Sequence, residues 1–434
     1  MDTHALVRVA PWLVLVLTPL VAGGSARAEP LDAFVRAALV HAEPGRASRA
    51  RVEAADADVT RARASLLPSV VASAGYTRHG EASEATLPSA DGRARQVTLR
   101  PEDQLDGAVT VHVPVLDGRS WARLSAARAD ARASRAQRVA TDESITIAVV
   151  RAYHEAVAAT RVEEAARVSL TASRAHESVM RARRDAGEVT ALALARAEVE
   201  TARAAESLVV ARAERRRARR LLRSLTGSSA APDAAVSTAA PPSGSVRALV
   251  DRALRTRGLV AASRAALDRS EAEARAAGFA QVPVVAAYLT GHAGNATGFT
   301  DEQVTWEGGA TVTWLVFDSF GSDAGRTAAR ARVEATRADL AEAVRVVRLE
   351  VADAYDRVAI ARERVQAASR ERAVAVEAER LARVELDAGT ATSADVLLAR
   401  RDAFDARVRE VRADAELAVA VETLRVAVGD GPRR

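Results

Sequence analysis

The side chains that most often carry catalysis are sparse in this sequence of 434 residues, which has no cysteine and only seven histidines. The histidines stand singly, and the chain has no HExxH motif, no GxSxG nucleophile elbow and no phosphate-binding loop. The pair His154-Glu155 and the motif Asp56-x-Asp58 fall in charged segments that we interpret as exposed faces of helices. We therefore expect no enzymatic activity, no bound metal and no cofactor.

Basic and acidic residues alternate along the whole chain, which counts 62 basic against 57 acidic residues for a net charge of +5. Only the stretch RAERRRARRLLR, at 212–223, is strongly basic by itself. Binding to nucleic acid depends on an unbalanced basic patch that neutralises phosphates. We therefore assign the charges to solvated helix faces and expect no nucleic-acid partner.

The segment 1–28 has the order of residues that is typical of a cleavable export signal. Arg8 is followed by an apolar run over 9–21 and then by the small residues of Ala26-Arg27-Ala28. The run is shorter than the roughly 18 to 20 apolar residues that a membrane-spanning helix needs. We predict cleavage before Glu29 and export, with neither disulfides nor an acylated-cysteine lipid anchor, since the chain has no cysteine.

Two very long helices are predicted where glycine and proline, the residues that interrupt helices, are absent. These stretches are 119–186 and 326–388. A helix of more than sixty residues spans on the order of 90 to 100 Å. A single glycine follows each stretch, Gly187 and Gly389, and a second uninterrupted run then begins. Each half of the chain therefore predicts a helical hairpin with a tight turn at its tip.

The two halves are related by an internal repeat at an offset of 202 residues. At this offset Tyr153 falls on Tyr355 and Thr190 on Thr392, while the tip glycines coincide. Small and β-branched residues with four-three spacing form the same seam in both long helices, which predicts side-by-side packing as in coiled coils. An Ala- and Arg-rich sequence matches itself partly by chance, but shared Gly, Thr and Tyr positions favour a true repeat.

Ahead of each long helix lie segments in which apolar and polar residues alternate. Four strands are predicted, at 67–77, 105–117, 282–291 and 306–318. Their length of about ten residues suits tilted membrane-spanning β-strands. Each half therefore follows the order helix, strand, polar loop, strand, long helix, tip and helix.

This order divides the chain beyond the export signal into two structural repeats. The first covers 29–226 with its β-hairpin at 67–117, and the second covers 246–429 with its β-hairpin at 282–318. The segment 227–245, rich in Pro, Ser, Ala and Gly, is predicted to be a flexible or extended linker between them.

Aromatic residues collect in and beside the predicted strands. The candidates for a membrane-interface girdle are Tyr76, Trp121, Tyr288, Trp306, Trp314 and Phe317. A soluble hairpin that caps a helical bundle would also collect aromatic residues, so this alternative stays open. Four strands cannot close a barrel in lipid, where every strand edge must be paired, so the membrane interpretation requires assembly, and three copies would supply twelve strands.

The tandem plan, the strand-to-helix exits VPVLDGR (113–119) and VFDSFG (316–321), and the tip motif GTATSADVL (389–397) resemble the TolC family of outer-membrane efflux proteins. The resemblance implies a mainly α fold with a membrane β-barrel. The protein would be a homotrimer whose twelve-stranded barrel in the outer membrane continues into a long periplasmic α-helical barrel.

The same resemblance implies a function as the exit duct of a tripartite efflux or secretion complex. The helical tips would dock to a periplasmic adaptor and to an inner-membrane pump of the RND, ABC or MFS type. Small molecules or proteins would then pass from the periplasm to the exterior. The main alternative is a periplasmic coiled-coil adaptor or another structural protein, although an adaptor usually carries one helical hairpin and this chain predicts two.

The family carries acidic residues that ring the narrowest point of the pore, just past the second tip. By this match Asp395 would contribute to a threefold carboxylate ring that attracts cations, although a first-turn acid is also favoured by the helix dipole. The next acidic family position is Leu398 here, and the first-half counterpart of Asp395 is Ala193. The Tyr and Arg that latch the aperture in well-known members are replaced by Leu386 and Ala391, so that particular latch is not expected.

The residues around both predicted tips are the candidates for contact with the adaptor. They are Arg183, Arg184, Gly187, Thr190, Gly389, Thr392 and Ser393. The chemistry of tight turns explains the glycines and the capping hydroxyls equally well without any partner.

Overall fold

The computed structural model describes four stretches of the chain, which are residues 30–88, 94–233, 240–296 and 302–430. The predicted export signal over 1–28 lies outside these residues, as do positions 234–239 of the predicted linker. Within the described stretches, no helix combines the length and the apolar character that are needed to cross a membrane.

The described residues form eight α-helices and six β-strands, with one 3-10 turn at Phe279–Gln281. In chain order the elements are α1 (Leu31–His41), α2 (Glu43–Ala64), β1 (Ser69–Arg78), β2 (Ser83–Pro88), β3 (Ala94–Arg100), β4 (Asp103–Leu116), α3 (Gly118–Asp185), α4 (Ala191–Thr226), α5 (Val246–Thr256), α6 (Gly258–Gly278), β5 (Val284–Gly294), β6 (Val304–Thr313), α7 (Gly321–Asp387) and α8 (Ser393–Ala427).

The two long helices predicted from the absence of glycine and proline are α3, with 68 residues, and α7, with 67 residues. An aspartate stabilises the first turn of each. Asp117 accepts hydrogen bonds from the backbone N–H of Arg119 at 3.0 Å and of Ser120 at 3.1 Å. Asp318 accepts one from the N–H of Ser322 at 2.7 Å. This cap lets α7 begin at Gly321, ahead of the predicted start at 326.

The single helix that was predicted before each hairpin is wrong in both halves, because each consists of two helices. Pro44 stands in the first turn of α2, and the chain is extended at Ala42, where it cannot continue α1. In the second half the break falls at Arg257, and a Cβ on Gly258 would lie 2.5 Å from the backbone nitrogen of Ala140. The close approach of α3 thus requires a glycine where α6 begins.

The hydrophobic core follows the predicted seam. Val149 and Ala152 of α3 are buried with Phe34 of α1, and Val347 and Val351 of α7 are buried in a second cluster that includes residues of α5. The long helices also contact one another, so that they form one layer in the order α4, α3, α8, α7. In this layer α4 and α7 are the flanking helices.

The four predicted strands are present as β1, β4, β5 and β6, and they form one antiparallel sheet in the order β1, β4, β5, β6. The pairing of β4 with β5 joins the two halves of the chain. The prediction of a polar loop between the first two strands is wrong, since β2 and β3 pair there as a separate antiparallel ribbon. In the described structure the outer edges of β1 and β6 have no strand partner.

Candidate functional site: a two-faced sheet and the helical tips

Residues that lie opposite each other in antiparallel strands point to the same face of a sheet, so the register of the four strands shows what each face carries. One row across the sheet consists of Val70, Val111, Leu289 and Gly308. The neighbouring row on the same face consists of Ala72, Val109, Gly291 and Trp306. Every residue in these two rows is apolar.

The other face is polar. Its central row runs from Val71 through Thr110 and Thr290 to Glu307. The hydroxyl oxygens of Thr110 and Thr290 lie 3.1 Å apart, within hydrogen-bonding distance. On the same face, His292 lies 3.9 Å from the carboxylate of Glu307.

The apolar face is not covered by any other part of the described chain. Trp306 is 79% exposed and Val312 is 68% exposed. A continuous apolar surface of this kind on a single-layer sheet marks a contact with lipid or with another apolar surface. An apolar face opposite a mainly polar face is the pattern of a strand set with lipid on one side and water on the other.

Exposed aromatic residues mark both ends of this sheet. Tyr76 and Trp306 lie near the end that is remote from the helices, and Trp121, Trp314 and Phe317 lie where the strands meet the helices. The step from Trp306 to Trp314 corresponds to roughly 25 Å of extended chain. The Tyr76 hydroxyl donates to Asp103 at 2.8 Å, and the Trp314 indole N–H donates to the carbonyl of Gln281 at 3.0 Å.

Tyr288, which the sequence grouped with these aromatic residues, lies on the polar face of the sheet. It is paired with His112 on one side and Gly309 on the other. A Cβ on Gly309 would lie 3.0 Å from the Tyr288 hydroxyl oxygen, so the ring lies over the glycine. This position depends on the register between β4 and β5, which a periodicity within one strand does not specify.

The two helical tips have the same construction. Gly187 and Gly389 have φ values of +78° and +77°, the left-handed conformation that ends a helix most readily with glycine. A Cβ at either position would meet nothing within 4 Å, so the conformation rather than crowding requires glycine. Thr190 caps α4 and Thr392 caps α8 through their hydroxyl oxygens. Both tips are open to solvent.

The other candidates at the tips lie beside these turns. Arg184 is exposed, and Ser393 is the first residue of α8. Arg183 is partly buried, and its guanidinium lies 3.6 Å from the carboxylate of Asp387. Because Arg183 belongs to α3 and Asp387 to α7, this ion pair joins the two hairpins of one chain.

Asp395 lies at the start of α8, where its carboxylate forms a capping box with Thr392. The Thr392 N–H donates to Oδ2 of Asp395 at 2.9 Å, and the Thr392 hydroxyl donates to the same oxygen at 2.7 Å. The Asp395 N–H donates in return to Oγ1 of Thr392 at 3.3 Å. The hydrogen bonds from the Thr392 side chain and backbone lower the pKa of Asp395 below its ordinary value, so the exposed carboxylate is ionised at neutral pH.

A second connection between the hairpins is centred on Arg400 of α8, which is only 8% exposed. Its guanidinium donates to the carbonyl of Ala172 in α3 at 3.1 Å and to the carboxylate of Glu379 in α7 at 3.3 Å. Arg383 also contacts Glu379. We call this group, together with Arg183 and Asp387, the tip tie.

His176 of α3 lies against the tip tie. Burial lowers its pKa below the ordinary value of 6.5, and the positive charges of Arg400, Arg183 and Arg383 lower it further. Its Nε2 is buried and has no hydrogen-bond partner among the described residues. The ring is therefore neutral at pH 7, and its protonation would add a fourth positive charge to this group.

The tip tie was not predicted from the sequence. Arg400 follows Val396 by four residues and precedes Ala403 by three, so it occupies a seam position that is otherwise apolar. A charged residue at a seam position was the available signal, since such residues are buried only with partners. Glu379 and Asp387 gave no comparable signal, because both stand in mixed-charge stretches.

The interpretation of His154 as an exposed helix residue is wrong. It is 3% exposed, and burial lowers its pKa to about 4. The reason is that α1, α4 and α8 all pack against α3, which leaves little of the circumference of this helix open.

Comparison with protein families gives one match over most of the chain. The model of the family described as "Outer membrane efflux protein" matches residues 36–228 and 249–430. A comparison with curated proteins gave no match.

Solved structures with a similar fold include several outer-membrane channels. The CmeC outer membrane channel of Campylobacter jejuni is 17% identical, with 92% of this chain and 86% of that chain covered and a TM-score of 0.79. The MtrE outer membrane channel of Neisseria gonorrhoeae is 22% identical, with 93% and 90% covered and a TM-score of 0.78. The outer membrane protein VceC of Vibrio cholerae is 19% identical, with 93% and 97% covered and a TM-score of 0.75. At these identities the likeness concerns the fold.

Proposed function

Because the chain belongs to the outer membrane efflux protein family, which confirms the resemblance found in the sequence, we propose that it forms the exit duct of a tripartite efflux or secretion complex. Small molecules or proteins would pass through it from the periplasm to the exterior. The observation that carries this proposal is the sheet whose apolar face is uncovered, joined directly to a layer of helices about 100 Å long.

A homotrimer is supported by the unpaired sides of the single chain. The sheet ends in the free edges of β1 and β6, and the helix layer ends in α4 and α7. Both flanking helices expose apolar side chains, with Val209 of α4 at 63% and Val374 of α7 at 71%. Contact of β6 and α7 in one copy with β1 and α4 in the next would be head-to-tail, the type of interface from which closed rings are built. Three copies give twelve strands.

In this arrangement the apolar face of the sheet meets outer-membrane lipid and the polar face lines the duct. Tyr76 and Trp306 would lie at one membrane interface, with Trp121, Trp314 and Phe317 at the other. We place Tyr288 inside the duct, because it shares the polar face with His112.

The helical tips then extend into the periplasm. We propose that Arg184, Gly187, Thr190, Gly389 and Ser393 contact a periplasmic adaptor, with an inner-membrane pump of the RND, ABC or MFS type beyond it. The exposure of Arg184, Gly187, Thr190 and Gly389 and the open space around both glycines support this role.

Inside the tips, Asp395 would supply one carboxylate per copy to a ring at the narrowest point of the duct. Its ionised state and its exposure support this role. We propose contact with the adaptor also for Arg183, which is partly buried in the tip tie, and for Thr392, which is exposed and caps α8 as Thr190 caps α4.

The alternative of a periplasmic adaptor or a structural protein is less favoured. The family match covers both halves of the chain, and each half has its own hairpin. A sheet with one continuous apolar face and one polar face is the pattern of strands that lie between lipid and water, which favours the channel over the adaptor.

The proposal is tested by isolating the protein from fractionated membranes and reconstituting it in planar bilayers. We expect it in the outer-membrane fraction as a detergent-resistant trimer that conducts ions. A soluble periplasmic monomer without conductance would contradict the proposed function.

A further inference from the structure

Helices α3, α7 and α8 of a single chain enclose an apolar groove of about 430 Å³. Its floor is built mainly from small apolar residues, which are Ala158, Ala354, Ala361, Ala415, Val419 and Ala420. Its rim carries four arginines, Arg151, Arg357, Arg364 and Arg412. We call this feature the arginine groove.

The arginine groove lies on the face of the helix layer that α1 and α5 leave open. In α3, Val149 and Tyr153 pack in the cluster that contains α1. Since successive helical residues turn by about 100°, Arg151 lies roughly 160° to 200° around the helix from both of them. If the chain forms a duct, as proposed above, one face of the layer must stay free for the passage. The arginine groove therefore opens into the duct.

The charges of the rim are only partly balanced. Arg364 is paired with Glu416 at 3.0 Å. Arg151, Arg357 and Arg412 have no carboxylate within ion-pair distance among the described residues. Glu155 is the only other acid that lines the groove. The rim thus presents three uncompensated guanidinium groups beside one uncompensated carboxylate.

The neighbouring cleft adds three acids and one arginine, so the groove and the cleft together carry five arginines and five acids. That cleft shares Arg151 and Arg357 with the arginine groove. Two of its carboxylates, on Glu143 and Glu350, are held by Arg257 at 3.1 and 3.0 Å. Its remaining acid, Asp353, forms no ion pair with either shared arginine among the described residues. Recognition of an anion therefore depends on three unpaired guanidinium groups as hydrogen-bond donors, and not on a net positive charge.

We propose that the arginine groove binds amphipathic organic anions, that is, aromatic or alkyl carboxylates and sulfonates, on their way through the duct. The apolar floor would cover the hydrocarbon part, and the guanidinium groups would bind the acid group through charge-assisted hydrogen bonds. This inference rests on the proposed function, since it assigns a substrate class to the same passage.

The experiment compares two probes that share one ring system and differ in charge, naphthalene-1-sulfonate and naphthalene-1-sulfonamide. Binding to the full-length protein in lipid nanodiscs is measured by titration calorimetry, with empty nanodiscs as the blank. We expect the sulfonate to bind about tenfold more tightly than the neutral sulfonamide. Equal affinity for both probes, or no binding of either, would overturn the inference.

Variants locate the binding. The double change Arg357→Gln and Arg412→Gln should weaken sulfonate binding about tenfold and change sulfonamide binding by less than about twofold. Glu155→Gln, which removes the uncompensated acid, should strengthen sulfonate binding. The matched control is Arg330→Gln, an exposed arginine of α7 outside the groove, and it should leave both affinities unchanged. An equal loss in this control would overturn the inference.

The same samples separate the inference from the function on which it rests. The mass of the particles is measured by light scattering, and the groove is complete within one chain. Selective binding of the sulfonate by monomers would contradict the proposed trimeric duct but would support the arginine groove as a binding site. Trimers that conduct ions and do not prefer the sulfonate would overturn the groove alone.

Discussion

At the scale of single residues, the carboxylate of Asp395 carries a negative charge and also caps α8 together with Thr392. Two substitutions separate these two roles. Asp395→Asn keeps an oxygen that accepts from Thr392 and removes the charge, while Asp395→Ala removes both. If Asp395 rings the aperture, both variants lower the preference for cations in single-channel recordings, because three carboxylates are lost. Only Asp395→Ala should also reduce the thermal stability of α8. If both variants keep the cation preference unchanged, Asp395 does not form part of the aperture and only caps α8.

His176 makes the tip tie sensitive to acid. The pKa of His176 is lowered in the folded protein, so the unfolded chain takes up a proton more readily than the folded one. The free energy of unfolding is therefore largest above the ordinary pKa of 6.5 and decreases as the pH falls below it. Protonation then places a positive charge beside Arg400 and Arg183. We expect the conductance of the reconstituted protein to rise as the pH falls below 6.5 far enough to protonate His176. The variant His176→Asn should abolish this rise, and a rise that persists in the variant would contradict the role of His176.

At the scale of the elements, the tip turns depend on backbone conformation. Gly389 has a φ of +77° and open space around it. A side chain at this position would therefore strain the backbone but would not clash with any neighbour. Gly389→Val should cost about 1 to 2 kcal/mol locally and distort the tip, whereas Gly389→Asn, which tolerates this conformation, should cost less. We expect Gly389→Val to impair efflux while trimers still form. Loss of the trimers would assign Gly389 a structural role only.

The tip tie connects α7 and α8 of the second hairpin to α3 of the first. Two adjacent arginines, one inside the tip tie and one outside it, allow a matched test. Arg400 bonds to α3 and α7, while Arg401 is exposed. Arg400→Gln should loosen the hairpins and raise single-channel conductance, because the bonds to Ala172 and Glu379 are weakened. Arg401→Gln should leave the conductance unchanged. Similar behaviour of the two variants would show that general loss of charge, rather than the tie, controls the aperture.

How far the sequence predicted these elements depends on the range of the interactions that form them. The absence of glycine and proline predicted α3 and α7, and alternation predicted all four strands of the sheet, because these signals are local. The break at Gly258 and the face of Tyr288 were not predicted, since both depend on a contact with a distant segment. The seam position of Arg400 indicated burial, but its partners could not be predicted, because Ala172 and Glu379 belong to other helices.

At the scale of the whole molecule, the proposed contact of the apolar sheet face with lipid predicts that the effect of a new charge depends on the face that carries it. Val111 and His112 are adjacent in β4 and point to opposite faces. Val111→Arg places a charge on the apolar face, which costs about 2 to 4 kcal/mol in the middle of a membrane. We expect far fewer trimers in the outer-membrane fraction for Val111→Arg than for His112→Arg. Equal yields would contradict the assignment of the apolar face to lipid.

The free edges of β1 and β6 lie at opposite ends of the same sheet, and this has a genetic consequence. A copy whose β6 edge is blocked, for example by a proline, still offers an intact β1 edge to a normal neighbour. In the proposed trimer, such a copy would join a normal neighbour and then prevent the last contact of the ring from forming. A faulty allele of this protein should therefore be dominant, because each defective copy also disables the sound copies that have joined it.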